Sequence, residues 1–268
     1  MHPWPDLKWW DSGERQAAEE KIDALTGTGI VCNPKPSLLY EALRVTSEPD
    51  VRVCIVGQDP YPAHDMATGV AFSIPADVSR DKFPHTLRIV LAEYQKDLGL
   101  PAPSNGDLLQ WARNGVLLWN SIPSCQSGHS LSHDWPEWEC LTSEIIHRLD
   151  ERGGVVFVFL GAVAARHQEG IDVTRNRVIR TSHPSPRGSR TSKTPFTGSR
   201  LFSTANARLR ELGRPVIDWR LGDDPTREGD VQIPIVGGGE VLPNITGVDL
   251  GGRRRQAISP NIYTSLLF

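Results

Sequence analysis

The residues best suited to chemistry follow directly after short apolar runs. Gly57-Gln58-Asp59-Pro60-Tyr61 ends VRVCIV, Asn120-Ser121 follows GVLLW, Gly161-Ala162 follows GVVFVFL, and His183-Pro184-Ser185-Pro186 follows RVIRTS. A carboxylate, an amide and an imidazole therefore recur at equivalent places, with no hydroxyl or thiol plainly in a nucleophile's position. Such a set suits hydrolysis through a transition state that places positive charge on a sugar-like carbon. A carboxylate stabilises that charge or orients water. An asparagine offers both a donor and an acceptor, and an imidazole can donate to oxygen on a departing anion. Each residue also has an ordinary reading. Asp59 before Pro60 makes a turn, Asn120 closes a strand end, and His183 is a satisfied loop histidine. Their joint placement at three of four strand ends favours a site.

Charge distribution narrows the substrate. The formal net charge is only −3, but from Val173 to Arg210 there is no Asp or Glu. That stretch carries Arg175, Arg177, Arg180, Arg187, Arg190, Lys193, Arg200, Arg208 and Arg210. A one-signed segment is the footprint of a polyanion partner; the alternative is a solvated basic surface. Residue types and charge together reach as far as a hydrolase acting on a polyanion, with nucleic acid the leading class.

These residues need a frame. Val51–Gly57, Gly115–Asn120 and Gly154–Gly161 read as buried strands, being short, apolar and bounded by Gly or turn residues, and Arg177–His183 reads as a fourth strand. Helices are predicted over Glu14–Leu25, Pro36–Leu43, His85–Leu98, Pro136–Leu149, Ala162–Gln168 and Ser199–Leu212, with Asp107 capping a short one through Ala112. Strands alternating with helices imply a three-layer α/β fold: a central four-stranded parallel twisted sheet flanked by helices. In such sheets ligands bind beyond the carboxyl ends of the strands, where the candidate residues lie. Residues 1–221 read as one domain, and residues 222–268, rich in Gly, Pro and charge, as a loosely packed tail.

Composition excludes other classes. Hydrophobic content of 38% and charged content of 23% are ordinary for a soluble chain of 268 residues. No apolar run approaches the ~18 residues of a membrane span. The opening MHPWPDLKWW lacks a basic-then-apolar layout, so a cytoplasmic protein of bacterial intracellular type is expected, with no membrane association. Cys32, Cys54, Cys125 and Cys140 form no close pair and read as buried reduced thiols. No His, Cys and acid cluster has ligand spacing, so no metal or other cofactor is expected and chelators should not affect activity.

The motifs carry a family resemblance. GQDPY at Gly57–Tyr61, ATGVAFSIP at Ala67–Pro75, GVLLWN ending at Asn120, HSLSH at His129–His133, TSHPSP at Thr181–Pro186 and PVIDWRL at Pro215–Leu221 resemble, in order and spacing, the signatures of family-one uracil-DNA glycosylases. The resemblance implies roles. Asp59 orients water and stabilises the oxocarbenium-like sugar, while His183 stabilises negative charge on uracil O2. Asn120 reads the polar edge of the base, Phe72 stacks on it, Tyr61 fills the place of a thymine methyl, and Gln58 supplies backbone contacts. Thr86, Ser185 and Arg187 would contact DNA. The implied partner is uracil-containing DNA, single- or double-stranded, its base flipped into the pocket. A monomer is implied, open to DNA-mimicking inhibitor proteins.

There are departures. Pro62 stands where many members have His. Trp119 replaces a Leu and should point away from the base. Ala162 replaces a Ser that contacts phosphate. Arg187 replaces the Leu that fills the gap left by the flipped base, and so either plugs that gap or touches a rim phosphate. Two other readings stay open at this stage: a glycosylase of altered base range, and a non-catalytic binder of damaged DNA.

Overall fold

The computed structural model describes residues 3–186, 188 and 192–222. Residues 1–224 form one compact unit. The expected tail, from Asp223 onward, lies outside the described residues, as do Arg187 and Arg190.

In chain order the elements are α1 (Gly13–Gly27), β1 (Cys32–Asn33), α2 (Glu41–Val45), β2 (Val53–Gly57), α3 (His85–Leu98), α4 (Leu109–Arg113), β3 (Val116–Asn120), β4 (Cys125–Gln126), α5 (Pro136–Arg152), β5 (Val156–Leu160), α6 (Ala162–Ala165), β6 (Arg177–Thr181) and α7 (Leu201–Glu211). The main sheet has the order β3-β2-β5-β6, and every pair in it is parallel. Every residue of β2 and β5 is buried, as expected for strands covered on both faces. The register sets Gly57 beside Asn120 and Leu160 beside Thr181, so the strands end nearly level. From β2 the chain crosses to β3 on one side and returns past β2 to β5 on the other. Such a reversal opens a crevice at the carboxyl edge.

The elements match the sequence expectation closely, with differences at their margins. The stretch Pro36–Leu43 divides into a 3-10 turn over Pro36–Leu38 and the one-turn α2. Ala162–Gln168 divides likewise into α6 and a 3-10 turn. The β1–β4 pair, two residues on each side and antiparallel, carried no sequence signal, being too short for a periodic pattern. Leu108, not Asp107, is the N-cap of α4; Asp107 stands one residue earlier and accepts the Leu109 amide at 2.8 Å. One expectation is corrected: Cys32, Cys54 and Cys125 are buried, but Cys140 is exposed, because α5 turns that side of its first turns to solvent. No described helix is long and apolar enough to cross a membrane.

Two devices fix the site's supports. Trp119 is fully buried and donates from Nε1 to Thr142 Oγ1 on α5 at 2.9 Å, while Thr142 Oγ1 donates to Ser121 O at 2.9 Å. The indole thus points away from Asn120, as expected, and ties the end of β3 to α5. At the other side, Glu93 of α3 accepts the Gly198 and Arg200 amides at 2.7 and 2.8 Å. That carboxylate anchors the chain that returns from the His183 loop into α7.

Candidate active site

The edge of the sheet brings together residues from four separate loops. Beyond β2, Gly57 O accepts both the Ser121 amide at 3.1 Å and Ser121 Oγ at 2.9 Å. Gln58 O accepts the Ile122 amide at 2.9 Å. The β2–β3 pairing therefore continues past the strands and holds the Gln58-Asp59 turn rigid against the exit from Asn120.

Gly57 is required here by close approach. A β-carbon on it would lie 2.8 Å from Asn120 Oδ1 and 3.0 Å from Phe72 Cζ. The amide of Asn120 and the ring of Phe72 thus share the space above this glycine. Phe72 has φ +65°, a left-handed conformation that costs a non-glycine residue roughly 1–2 kcal/mol. Its neighbours hold it there: Ala71 N donates to Leu118 O at 3.0 Å, and Ser73 N to Val70 O at 3.2 Å. Tyr61 Oη donates to Phe72 O at 3.1 Å, which locks the two aromatic residues together. Burial pushes the Tyr61 phenol well above its ordinary range, so the hydroxyl stays a neutral donor.

Asp59 is the most heavily bonded group at the edge. Its Oδ2 accepts Ser130 Oγ at 2.7 Å and the Leu131 amide at 2.6 Å, and its Oδ1 accepts Gln58 Nε2 at 3.0 Å. Gln58 Nε2 also reaches Ser130 Oγ at 3.3 Å. These donors occupy both carboxylate oxygens and fix the plane of the group. Gln58 accordingly contributes its side chain as well as its backbone, beyond what the sequence suggested. Ser130 and Leu131 had no assigned role, although they lie within the HSLSH motif. Their signal was the motif itself; what could not be seen was that the loop after β4 folds back onto Asp59.

His183 comes to the same edge from the loop that follows β6. Its ring centroid lies 6.4 Å from that of Phe72, tilted by 42°. Burial lowers its pKa below the ordinary imidazole value, and the Asp59 charge opposes that shift without reversing it. The ring is therefore neutral at pH 7. Gly161, with φ +93°, allows the approach, since a β-carbon there would lie 2.9 Å from His183 Cβ. Ser182 holds the backbone on both sides: its amide donates to Thr194 O at 2.7 Å and its Oγ accepts the Phe196 amide at 3.0 Å. Asp59, Asn120, Phe72, Tyr61 and His183 are thus brought to one edge.

The expected DNA contacts fare differently. Ser185 Oγ accepts the Gly188 amide at 3.2 Å and keeps its hydroxyl proton to donate. Thr86 stands half-exposed in the first turn of α3 and remains a candidate by position. Arg187 lies outside the described residues. Part of the basic footprint is ion-paired across the fold. Arg175 pairs with Asp150 at 3.2 Å and Arg177 with Glu211 at 3.0 Å. Arg177 opens β6, about 13 Å of strand away from Thr181 at the site end. Arg200 and Arg208 also face carboxylates, Asp97 at 3.6 Å and Glu211 at 2.7 Å. The acids that pair with these four arginines lie outside the segment in sequence, so a one-signed window did not reveal them. Among the described residues, no three His, Cys, Asp or Glu side chains are placed to hold a metal ion.

Comparison with known proteins places these features in context. The family model of the uracil DNA glycosylase superfamily matches residues 45–210. A uracil-DNA glycosylase of Bacillus pumilus is 41% identical over 191 residues, which cover 71% of this chain and 82% of the relative. That of Bacillus subtilis is 40% identical over 186 residues, covering 69% and 80%. The crystal structure of mimivirus uracil-DNA glycosylase superposes with a TM-score of 0.71 at 24% identity, over 78% of this chain and 82% of that one. A variant of the mimivirus protein, in complex with UGI, superposes equally well, with a TM-score of 0.71.

Proposed function

The chain belongs to the uracil DNA glycosylase superfamily and is a monofunctional N-glycosylase that releases uracil from DNA; from that premise we propose how its own residues carry out the reaction. The observation that carries the reading is the Asp59 carboxylate, held by three donors at the same sheet edge as a half-buried neutral imidazole, with Asn120 and Phe72 sharing the space over Gly57, the recess proposed for the base.

A base stacked in a duplex is out of reach, so deoxyuridine is extruded into the recess. Phe72 lies along the ring face. Asn120 accepts the uracil N3–H and donates to O4. Tyr61, locked to Phe72 O, occupies the space beside C5. The C1′–N1 bond then breaks, its electron pair leaving with the base. Positive charge grows on the sugar and negative charge on uracil O2. Asp59 stabilises the former and aligns a water for C1′; neutral His183 donates a hydrogen bond to the latter. Water adds to C1′ through its oxygen and the proton it loses ends on the departing uracil anion, leaving an abasic site and free uracil. This is the opening step of base excision repair.

The partners follow from the same reading. Thr86, Ser185 and Arg187 contact the phosphates or the gap of single- or double-stranded DNA. Exposed large apolar residues among those described are limited to Val31, Leu131 and Val173, which supports a monomer. The likeness to a UGI-bound mimivirus structure supports capture by DNA-mimicking inhibitors.

Specificity variants test the pocket. Asn120→Asp, when protonated, presents a donor to cytosine N3 and an acceptor to its N4 amino group. Cytosine release should become measurable while uracil release falls by about one to two orders of magnitude. Tyr61→Ala should open the space beside C5 and permit slow thymine release. Product analysis of normal duplexes checks both, and the absence of new base release from either variant would overturn the pocket assignment.

A further inference from the structure

The HSLSH loop contains an exposed leucine that the mechanism above uses only through its backbone. Leu131 is 41% exposed, and its backbone has φ +63°. Both features are unfavourable for a branched apolar residue: the conformation is strained, and water meets the side chain. Strained residues that persist are held by their surroundings and cluster at functional sites. Here the holders are plain. The Leu131 amide donates to Asp59 Oδ2 at 2.6 Å. On either side, Ser132 Oγ donates to His129 O at 2.8 Å and accepts the Gln126 amide at 2.7 Å. Leu131 O accepts the Asp134 amide at 3.3 Å. The loop is closed on itself and presents one apolar side chain at its tip.

We propose that Leu131 is an apolar DNA contact that packs against the duplex beside the extruded nucleotide. The proposal rests on Asp59 lying at the reacting sugar. If it does, a residue bonded to that carboxylate stands within a few ångströms of the same nucleotide. Duplex DNA is therefore the occupant the position selects. Extrusion leaves unstacked apolar base surface that a leucine can cover. A single strand presents no such gap, so the contact acts on duplex substrate. The bond from the Leu131 amide also couples the loop to Asp59: seating the leucine in the duplex and orienting the carboxylate become one event.

The test compares one uracil-containing oligonucleotide, single-stranded and annealed to its complement, under single-turnover conditions. Leu131→Asn suits the left-handed backbone and keeps the amide donor, but removes the apolar surface. The ratio of duplex to single-strand rate should fall about tenfold, the effect of exposing part of a leucine. Leu131→Met, which restores apolar volume, should return the ratio to within about twofold of wild type. An unchanged ratio in Leu131→Asn, or equal losses on both substrates, would overturn the proposal and leave Leu131 a backbone role alone. Failure of the underlying reading looks different: Asp59→Asn would then keep a near-normal rate on single strands.

Discussion

Asp59→Asn should lower the single-turnover rate of uracil release by about a thousandfold or more, with DNA affinity changed only a few-fold. The expectation follows from where the charge sits. Three donors converge on the two carboxylate oxygens, which aims the group before substrate arrives. Preorganised charge of this kind stabilises the oxocarbenium-like sugar without reorganisation during the reaction. An amide of the same shape removes the charge. It also turns an NH₂ group toward Gln58 Nε2 or toward the Ser130 and Leu131 donors, so one of those bonds becomes a donor–donor conflict. Binding of the extruded base depends on other groups, Phe72 and Asn120, and should persist. Rapid-quench measurement of the cleavage rate, alongside binding to the same oligonucleotide, separates the two effects. A rate within tenfold of wild type would remove Asp59 from the mechanism.

The second large effect should come from His183. His183→Ala should slow uracil release by about 10²- to 10³-fold, the range seen when a donor to a developing oxyanion is removed. The pH dependence supplies a sign. Burial among Phe72 and the loops disfavours the charged imidazole more strongly than the Asp59 charge favours it, so the folded pKa lies below 6.5. The neutral ring is therefore the working form at pH 7. Protonation of His183 should not limit the rate between pH 6.5 and 8, and its effect should enter only below pH 6.5. A wild-type acid limb centred at or above pH 7 that disappears in His183→Ala would show that the charged ring is the resting form.

Much of this arrangement was legible from sequence because it rests on local rules. Buried parallel strands announce themselves as short runs such as VCIVG and VFVFL, and the carboxyl-edge rule then points to Asp59, Asn120 and His183. Trp119 could be oriented by alternation along β3, since its neighbour Asn120 faces the crevice. What sequence could not supply depended on contacts distant along the chain. Ser130 and Leu131 lie 71 and 72 residues from Asp59, and nothing in a run of Ser, Leu and His marks a loop that bends onto a carboxylate. The basic stretch hid its partners for the same reason. Its arginines are one-signed along the chain, yet Arg175 and Arg177 meet Asp150 and Glu211 across the fold. Charge counted along a sequence is not charge summed over a surface.

The most direct test of the central claim is single-turnover base release from two otherwise identical duplexes, one carrying uracil and the other thymine at the same position. With Tyr61 assigned to the space of the thymine methyl group, free uracil and an abasic strand are expected from the first, and no detectable base from the second. Release of thymine at a comparable rate, or binding of the uracil duplex without release, would contradict that claim.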